Sequence, residues 1–153
     1  MTEVKIRKAT EKDIVRIAEL LHEYDLYENK LDKKHKIDSI KEIISFNKKL
    51  MKSPLCVYFV LEINKELQGV ISGEYRITAL GKRAIFHQII VSEKFRGKGY
   101  GNKLIDALEK HFKKKGCNAL TSHILPGNKK IQEFYKKRGY DIEERINITK
   151  KLR

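Results

Sequence analysis

The stretch Val91-Ser92-Glu93-Lys94-Phe95-Arg96-Gly97-Lys98-Gly99-Tyr100-Gly101 decides the fold of this chain, because the periodicity of the sequence changes within it. The residues that end at its first position, 84–91, are apolar at nearly every position, as is typical of a central strand buried on both faces. After it, apolar residues recur at the spacing of one helix face, at Leu104, Ile105, Leu108 and Phe112. The stretch is therefore a glycine-rich turn that leads from a buried strand into an amphipathic helix.

The glycines and the helix start that follows them suit an anionic ligand. Glycine has no Cβ, so the backbone can approach a ligand closely, and a helix N-terminus offers free N–H groups and the positive end of its dipole. Arg96 and Lys98 add positive charge. The pattern predicts a cradle for a pyrophosphate, with a glycine-rich turn that binds nothing as the alternative. It is not a P-loop, because no Gly-Lys-Ser/Thr follows, and it lacks the GxGxxG dinucleotide spacing.

Upstream of this loop, the sequence predicts strands and two amphipathic helices. Val4–Arg7 is predicted as a short strand, and Thr10 followed by Asp13 favours the start of the first helix. Cys56–Ile63 and Gln68–Thr78 are predicted as strands joined by a polar hairpin turn. The second helix precedes them and is predicted to turn these residues inward: Ile37, Ile40, Ile43, Ile44 and Met51.

Downstream of the loop helix, which Gly116 is placed to terminate, the pattern alternates again. Ala119–Leu125 is predicted as a strand, Lys129–Arg138 as a short helix with Ile131 and Phe134 inward, and Tyr140–Lys150 as the last strand. No linker, repeat or low-complexity tract divides the chain. The sequence therefore predicts one α/β domain over residues 1–153.

Composition limits the classes of function. The chain has 34 Lys and Arg against 20 Asp and Glu, a formal net charge of +14, which favours polyanionic partners without choosing among them. No segment approaches the roughly 20 apolar residues of a membrane span, and Met1–Thr10 lacks the apolar core of a signal peptide. Cys56 and Cys117 form no CxxC pair, so neither a disulfide framework nor a metal site is expected. A cytoplasmic location is the expectation.

From Ile6 to Leu152 the chain resembles the GNAT superfamily of N-acetyltransferases, most densely between Phe86 and Tyr140. The loop Arg96-Gly97-Lys98-Gly99-Tyr100-Gly101 is similar to the family's pyrophosphate-binding motif. Asn128 followed by Phe134-Tyr135-Lys136-Lys137-Arg138-Gly139-Tyr140 is similar to its second motif, an Asn before a helix that carries Phe-Tyr and ends in Gly-aromatic. Both motifs occur in the family's order and on the expected elements.

The resemblance implies a fold and a co-substrate. The fold is α/β (α+β), with three layers: a central mixed sheet, helices on both faces, and two parallel central strands that splay apart. Here those strands are Ala84–Val91 and Ala119–Leu125, and acetyl-CoA is implied to lie in the gap between them. The implied acetyl-CoA-binding residues are Ile89, Ile90 and Val91 along the pantetheine arm, Arg96, Gly97, Lys98, Gly99, Tyr100 and Gly101 around the pyrophosphate, and Asn128 at the pantetheine amides.

The resemblance also implies the chemistry, which is direct attack of a neutral amine on the thioester. Tyr135 matches the family's usual proton donor to the departing CoA thiolate. A tyrosine pKa of about 10 and a thiol pKa of about 8.5 are close enough for such a transfer. The alternative role for Tyr135 is a core aromatic beside Phe134. A covalent acyl-cysteine is not expected, because neither cysteine lies near the predicted carbonyl.

The general base departs from the family pattern. Many relatives carry Glu or Asp near the end of the central strand, where this chain has His87 and Gln88. His87 is a candidate base, since imidazole titrates near neutral pH, or else a satisfied polar residue on a buried strand. Glu74, on the preceding strand, is the rival candidate, with a solvated strand carboxylate as its alternative.

The acceptor is implied to meet the first two helices and their connector, with the turn beyond Tyr140. The connector region is expected to hold carboxylates beside Tyr24 and Tyr27, a combination suited to a cationic amine. These carboxylates, which equally form a solvated face, are Glu19, Glu23, Asp25 and Glu28. A small-molecule amine is the expected partner, with nucleic acid disfavoured and the oligomeric state, a homodimer included, left open. Two alternatives remain: a catalytically silent CoA-binding regulator, and a basic nucleic-acid-associated protein on the same scaffold.

Overall fold

The computed structural model describes residues 1–152, which form two compact units, residues 1–123 and the described residues from 124 onward. A short 3₁₀ turn precedes the first helix and another precedes the glycine loop, at Glu11–Asp13 and Glu93–Phe95. The strands are β1 Val4–Lys8, β2 Cys56–Ile63, β3 Glu66–Thr78, β4 Gly81–Val91 and β5 Ala119–Thr121. The helices are α1 Ile14–Leu31, α2 Ile40–Met51, α3 Tyr100–Lys114 and α4 Lys129–Lys137, the last in the smaller unit.

The larger unit is built on one five-stranded mixed sheet in the order β1-β2-β3-β4-β5. Neighbours from β1 to β4 are antiparallel, and only β4 and β5 run parallel. The β2–β3 turn contains Asn64 and Lys65, both with positive φ, which is the conformation that a tight two-residue hairpin requires. This arrangement confirms the predicted central mixed sheet.

Helices cover both faces of the sheet, as predicted. A Cβ on Gly69 or Gly73 of β3 would collide with neighbours that include Leu104 and Phe112 of α3, so α3 packs closely on that face. Val70 has the opposite orientation, because successive strand residues alternate faces. The core on its face combines sheet residues with residues of α1 and α2: Ile17, Ala18, Leu20, Leu21, Ile43, Tyr58, Val60, Val70 and Ile90.

The ends of the helices follow from local hydrogen bonds. Ser39 caps α2 by accepting from the Glu42 amide, and the Glu42 side chain returns a bond to the Ser39 amide. Helix α3 ends at Lys114, and Gly116 just beyond its C-cap has a φ of +81°, in the left-handed region. The amide of Cys117 then donates to the Phe112 carbonyl, which is the closure expected at such a glycine.

The two parallel strands part after three residue pairs. Arg83, Ala84 and Ile85 of β4 pair with residues 119–121 of β5, and the ladder ends there. The Ser122 hydroxyl then donates to the Phe86 carbonyl at 2.9 Å. From His87 onward, no strand among the described residues pairs with this side of β4, so its backbone groups point into the gap that the resemblance implies.

Several expectations about element bounds were wrong. Tyr140–Lys150 is not a strand: a strand exists only where its backbone pairs with a neighbour, and the described residues 140–152 join no ladder. Ile146 and Ile148, whose alternation suggested the strand, are each 93% exposed. For the same reason β5 ends at Thr121 rather than Leu125.

Two helix faces also differ from expectation. Ile37 lies before α2 and Ile40 at its first position, and both are exposed rather than inward, whereas Ile43 is buried. In α4 the buried residue is Tyr135, while Ile131 and Phe134 are only partly buried. No helix within residues 1–152 is both long and apolar enough to cross a membrane.

Candidate active site

The glycine loop has the backbone conformation of an anion cradle. Gly97 and Gly99 have φ of +75° and +82°, a region that residues with a Cβ rarely adopt. No heavy atom lies within 4 Å of a Cβ built on either glycine, so conformation rather than crowding requires glycine here. Gly99 is the N-cap of α3 and has no side chain with which to cap the first-turn amides of this 15-residue helix. These amides and the helix dipole favour an anion.

The basic side chains of the loop have structural partners of their own. The Arg96 Nε donates to the Val91 carbonyl at 2.8 Å and so fastens the loop to the end of β4. Lys94 and Lys98 place their ammonium groups 5.1 and 5.6 Å from the centre of the Phe95 ring. Lys98 therefore stays close to the loop, where its charge adds to the field of the helix end.

Ile89, Ile90 and Val91 form the end of β4 beside the gap. Their backbones pair with β3 on one side and have no strand partner on the other among the described residues. Extended backbone with one open edge can bind an extended ligand in the way that a sheet edge binds a peptide strand. The carbonyl of Val91 is an exception, since Arg96 occupies it.

His87 lies at a β-bulge in the middle of β4. Ser72 of β3 pairs with Gln88, and the next residue, Gly73, pairs with Phe86, so His87 is the extra residue between them. Gly73 has no room for a Cβ, which would meet the Ile85 carbonyl at 2.8 Å. At this bulge the His87 side chain contacts Ser72 and Glu74 of β3. The position of the bulge cannot be predicted from the sequence of β4 alone.

The structure brings the two candidate bases together. The Nε2 atom of His87 lies 3.7 Å from Oε1 of Glu74, and both side chains are partly exposed. The pKa of Glu74 lies below its ordinary value, chiefly because Arg76 donates a hydrogen bond to Oε1 at 3.0 Å, with His87 as a smaller contribution. Glu74 is therefore a carboxylate at neutral pH and a weak base, well suited to stabilise a neighbouring cation.

Sequence reasoning missed the polar residues behind His87. The hydroxyl of Ser72 lies 3.4 Å from Nδ1 of His87, and Tyr58 of β2 is the cross-strand partner of Ser72. The phenol of Tyr58 donates to Oδ1 of Asn47 on α2. All three side chains are buried, and polar groups at core positions are the signal that could have identified them.

Cys56 borders this cluster but is not a reactive thiol. Its Sγ donates to Oε2 of Glu74 at 3.8 Å. Burial raises the pKa of the Cys56 thiol, and the charge of Glu74 raises it further. A thiol held in its protonated form is a poor nucleophile, which agrees with the expectation that no acyl-cysteine forms.

Residues 124–153 carry the other two predicted site residues. The Asn128 Oδ1 caps α4 by accepting from the Ile131 amide at 3.3 Å. Tyr135 is 4% exposed, and its ring makes edge contacts with Phe134 and Tyr140 at centroid distances of 5.0 and 5.3 Å. Burial raises the pKa of the Tyr135 phenol well above its ordinary value, with Arg138 opposing the shift.

The acidic residues proposed for the acceptor lie on α1 itself rather than in a connector. Asp25 is buried and its Oδ1 lies 3.1 Å from Nε2 of His35, in the segment between α1 and α2. Glu28, one helical turn further, is also buried. Glu19 and Glu23 are exposed, and Glu19 pairs with Arg16. Of the acidic set, the structure therefore distinguishes Asp25 and Glu28 from a merely solvated face.

Comparison with known proteins identifies the family. Residues 17–140 match the family model described as Acetyltransferase (GNAT) family. A curated relative named Acetyltransferase, from Yersinia pestis (strain Pestoides F), is 29% identical over 96 residues, which are 63% of this chain and 65% of the relative. The chain thus spans about 65% of the length of the curated relatives that it matches.

Solved structures share the fold. The aminoglycoside N-acetyltransferase AAC(6')-Iy in complex with CoA has a TM-score of 0.80 at 17% identity, with 99% of this chain and 96% of that one covered. A transcriptional regulator from Bacillus halodurans C-125 also has a TM-score of 0.80, at 20% identity, with 96% and 99% covered. The TM-scores establish the shared architecture, and the family match at residues 17–140 includes residues of both structural units. The chain therefore belongs to the GNAT acetyltransferase family.

Proposed function

We propose that this chain is an acetyl-CoA-dependent N-acetyltransferase that transfers acetyl directly to a primary amine of a small molecule. The observation that carries the proposal is the His87–Glu74 pair at the bulge of β4, beside the strand edge that β5 leaves open. Amine acetylation needs a proton acceptor and groups that bind the acetyl donor. The proposed donor-binding groups here are the open edge of β4 and the glycine loop. The fold shared with an aminoglycoside N-acetyltransferase supports an amine as the acceptor.

Acetyl-CoA fits the chemistry of the cradle and the open edge. The amides at the start of α3 and the left-handed Gly97 and Gly99 suit its pyrophosphate. The backbone of Ile89 and Ile90 suits the amide-containing pantetheine arm, and Tyr100 and Gly101 supply amides in the first turn of the helix. Bound in this way, acetyl-CoA supplies the thioester carbonyl that the amine attacks.

His87 is the proposed general base. An alkylammonium is mostly protonated at neutral pH, because its pKa is near 10. Nε2 of His87 takes one proton from the ammonium, directly or through a water, and Glu74 at 3.7 Å stabilises the imidazolium that results. The neutral amine then forms the C–N bond to the acetyl carbonyl as the C–S bond breaks, and the second proton that its nitrogen loses replaces the one that Tyr135 gives to the departing thiolate. Glu74 is disfavoured as the base itself, because its low pKa makes it a poor proton acceptor.

Tyr135 is the proposed proton donor to the departing thiolate. Burial keeps its phenol protonated at neutral pH. The same apolar surroundings would also raise the pKa of the CoA thiol, because desolvation destabilises its thiolate. The two pKa values therefore shift in the same direction, and the transfer remains feasible. Asn128 is the proposed partner of the pantetheine amides. Both assignments assume that residues 1–153 act as one domain, as the sequence predicts.

Asp25 and Glu28 are the proposed contacts for the cationic acceptor, because they are the buried carboxylates of α1. A buried carboxylate is costly unless it is paired. Asp25 already lies 3.1 Å from Nε2 of His35, and an amine would add a further positive charge beside it. The location in the cytoplasm and the oligomeric state stay predictions of the sequence.

The experiment that tests this function is acetyl-CoA turnover, followed by release of the CoA thiol, against separate amine classes. The panel contains polyamines, aminoglycosides, amino sugars, amino acids and lysine peptides, with a reaction lacking acceptor as the control. The proposal expects at least one small amine to accelerate thiol release. If acetyl-CoA binds but no amine accelerates its turnover, the chain is a silent CoA-binding regulator and the proposal is wrong.

A further inference from the structure

Two nitrogen groups approach the same oxygen of Glu74. Nη2 of Arg76 donates to Oε1 at 3.0 Å, and Nε2 of His87 lies 3.7 Å from that oxygen. The other oxygen, Oε2, accepts from the thiol of Cys56. A separation of 3.7 Å is beyond hydrogen-bond distance. Arg76 is therefore hydrogen-bonded to Oε1, while the His87 ring lies beside the same oxygen without such a bond.

The sheet explains why Arg76 pairs with this carboxylate. Glu74 and Arg76 are two positions apart on β3, so their side chains share one face of the strand. The ladder between β2 and β3 begins at the pair Cys56 and Glu74, so Arg76 lies beyond the start of β2. On its other side Arg76 is directly opposite Arg83 of β4, and like charges in that arrangement repel. The neighbouring carboxylate of Glu74 is thus the favourable partner for the guanidinium.

Arg76 and a protonated His87 cannot both have the full attraction of Glu74. A protonated Nε2 would donate to Oε1, but that oxygen already accepts from a guanidinium, which is always charged. Two cations at one carboxylate share its attraction and repel each other. The pKa of Glu74 lies below its ordinary value, with Arg76 as the largest cause and His87 as a smaller one. The charge of Glu74 therefore acts mainly on Arg76 while the ring is neutral.

We propose that Arg76 competes with His87 for Oε1 of Glu74, and that this competition keeps the imidazole in the neutral form that can accept a proton. Arg76 is thus a positioning residue for the base, and the inference rests on the proposed function of His87. Once the ring has taken a proton from the amine, Nε2 can donate to Oε1. The Arg76 side chain, which is 66% exposed, can then return to water at little cost, because exposed ion pairs contribute little to stability.

Other polar groups share this face of the sheet with His87 and add to its surroundings. They include Arg83 of β4, Cys56 and Tyr58 of β2, Asp25 and Glu28 of α1, and Asn47 of α2. Burial raises the pKa of both β2 groups, so they are neutral at pH 7. The first of the two α1 carboxylates pairs with His35. All of these groups are unchanged by a substitution at Arg76, so the effect of Arg76 can be measured against them.

The titration of the His87 ring tests the competition without an acceptor. NMR spectra of protein labelled at histidine follow the ring against pH, and His87→Ala identifies its signals by their loss. Arg76→Gln should raise the midpoint of this titration by about 0.5–1 pH unit, because a cation is lost and Oε1 becomes free to pair with the imidazolium. Arg76→Lys keeps the charge and should shift the midpoint less. Arg16→Gln is the control and should leave it unchanged, since Arg16 contacts the opposite end of β3, at the Leu67 carbonyl.

Glu74→Gln separates competition from simple repulsion between Arg76 and the ring. Without the carboxylate there is no shared anion, so only the direct repulsion remains. In a Glu74→Gln protein, Arg76→Gln should therefore raise the midpoint by less than about half as much as in the wild type, which is the coupling that a double-mutant cycle measures. An Arg76→Gln midpoint no higher than that of the wild type, or an equal shift in both backgrounds, overturns the competition.

The rate of the reaction gives the second measurement. With an active acceptor, Arg76→Gln should move the acid limb of kcat to higher pH, lowering kcat about three- to tenfold below the midpoint and leaving the plateau at high pH little changed. A merely structural role would lower the plateau as well. A ring titration that shifts while the acid limb stays would uphold the competition and contradict His87 as the base. An unshifted ring, with the limb lost in His87→Ala, would contradict the competition alone, so the two proposals can fail separately.

Discussion

Nε2 of His87 lies 3.7 Å from Oε1 of Glu74, because a β-bulge inserts His87 opposite the point where β3 continues from Ser72 to Gly73. The two residues that the sequence offers as rival bases are therefore neighbours in one site. The low pKa of Glu74, caused chiefly by Arg76, makes a division of roles the natural interpretation. In the proposed mechanism, His87 accepts the proton and Glu74 stabilises the resulting charge.

Substitution of the two residues tests this division. His87→Ala should lower kcat by about 10²–10⁴-fold and remove the acid limb of the pH–rate profile. Glu74→Gln should leave that limb in place but move it to lower pH, because losing a neighbouring anion disfavours the protonated imidazole. The measurement is kcat against pH with the best acceptor. The opposite pattern, with the limb lost only in Glu74→Gln, would assign the base to Glu74.

The glycine loop is tested by placing a charge at the N-cap of α3. Gly99→Asp should raise the Kd for acetyl-CoA by about tenfold or more, since like charges about 4 Å apart near a protein surface cost about 4 kcal/mol at most. Isothermal titration calorimetry measures the affinity. The asparagine of Gly99→Asn has nearly the same shape as aspartate but no charge, so the difference in Kd between the two variants isolates the effect of the charge.

Gly116→Asp is a matched control for backbone strain at Gly99. Gly116 has φ of +81° against +82° for Gly99, and neither glycine has a heavy atom within 4 Å of a built Cβ. Both substitutions should therefore incur the left-handed backbone cost, about 1–2 kcal/mol in the free energy of unfolding. The dipole of α3 opposes that cost for a carboxylate at Gly99, its N-cap, and adds to it at Gly116, beyond its C-terminus. Only Gly99→Asp should weaken acetyl-CoA binding. Equal Kd values for the two variants would show that the loop does not hold the pyrophosphate.

Tyr135→Phe tests the proton donor. The variant keeps the ring contacts with Phe134 and Tyr140 but removes the phenol proton. Turnover should fall at least about tenfold, with the Kd for acetyl-CoA little changed. Tyr140→Phe removes a hydroxyl from the adjacent ring and serves as the comparison in the same stopped-flow assay. A Tyr135→Phe rate close to that of the wild type would leave Tyr135 with a packing role alone.

An ion pair at the start of α1 should give stability that depends on pH. Arg7 binds both carboxylate oxygens of Asp13, at 2.7 and 2.8 Å, and holds the pKa of Asp13 below its ordinary value. A lowered folded-state pKa stabilises the fold above the unfolded-state value of about 3.9, and this stability is lost as the pH falls through the folded-state pKa. Asp13→Asn should cost about 1–3 kcal/mol at pH 7 and progressively less below about pH 4.

Urea unfolding at several pH values measures this difference. Glu19→Gln removes the exposed pair with Arg16 and should change the free energy of unfolding by less than about 1 kcal/mol at any pH. A cost of Asp13→Asn that persists undiminished at pH 2 would mean that capping by the side chain, rather than its charge, stabilises the helix start.

The elements whose sequence signals lie within one continuous stretch of chain were predictable from the sequence. The β2 bounds, the buried stripe of α3 and its end just before Gly116 are confirmed, because helix and strand periodicity and glycine chemistry are local properties. The early end of β5 and the absence of a strand over Tyr140–Lys150 were not predictable in this way. Strand formation there depends on a partner elsewhere in the chain, about which local alternation gives no information.

The candidate site likewise combines residues that were predictable from local sequence with residues that were not. His87, Glu74 and the glycine loop were predicted as candidates from residue type and resemblance, while the buried polar residues Asn47, Tyr58 and Ser72 were not. Tyr58 on β2 contacts Asn47 on α2, and Ser72 on β3 contacts His87 on β4, so each contact joins two different elements. The bulge that aims His87 likewise arises from the register between two strands and is not a property of either strand alone.

The most direct test of the central claim is the fate of the acetyl group itself. Acetyl-CoA labelled with ¹³C at the carbonyl is incubated with the best acceptor of the panel, and NMR follows the label while thiol release is counted in parallel. We expect one new acetamide carbonyl for each CoA thiol released, with no acetylated protein accumulating. Thiol release that yields free acetate instead of an acetamide, or label that stays in acetyl-CoA with every amine, would contradict amine acetylation by this protein.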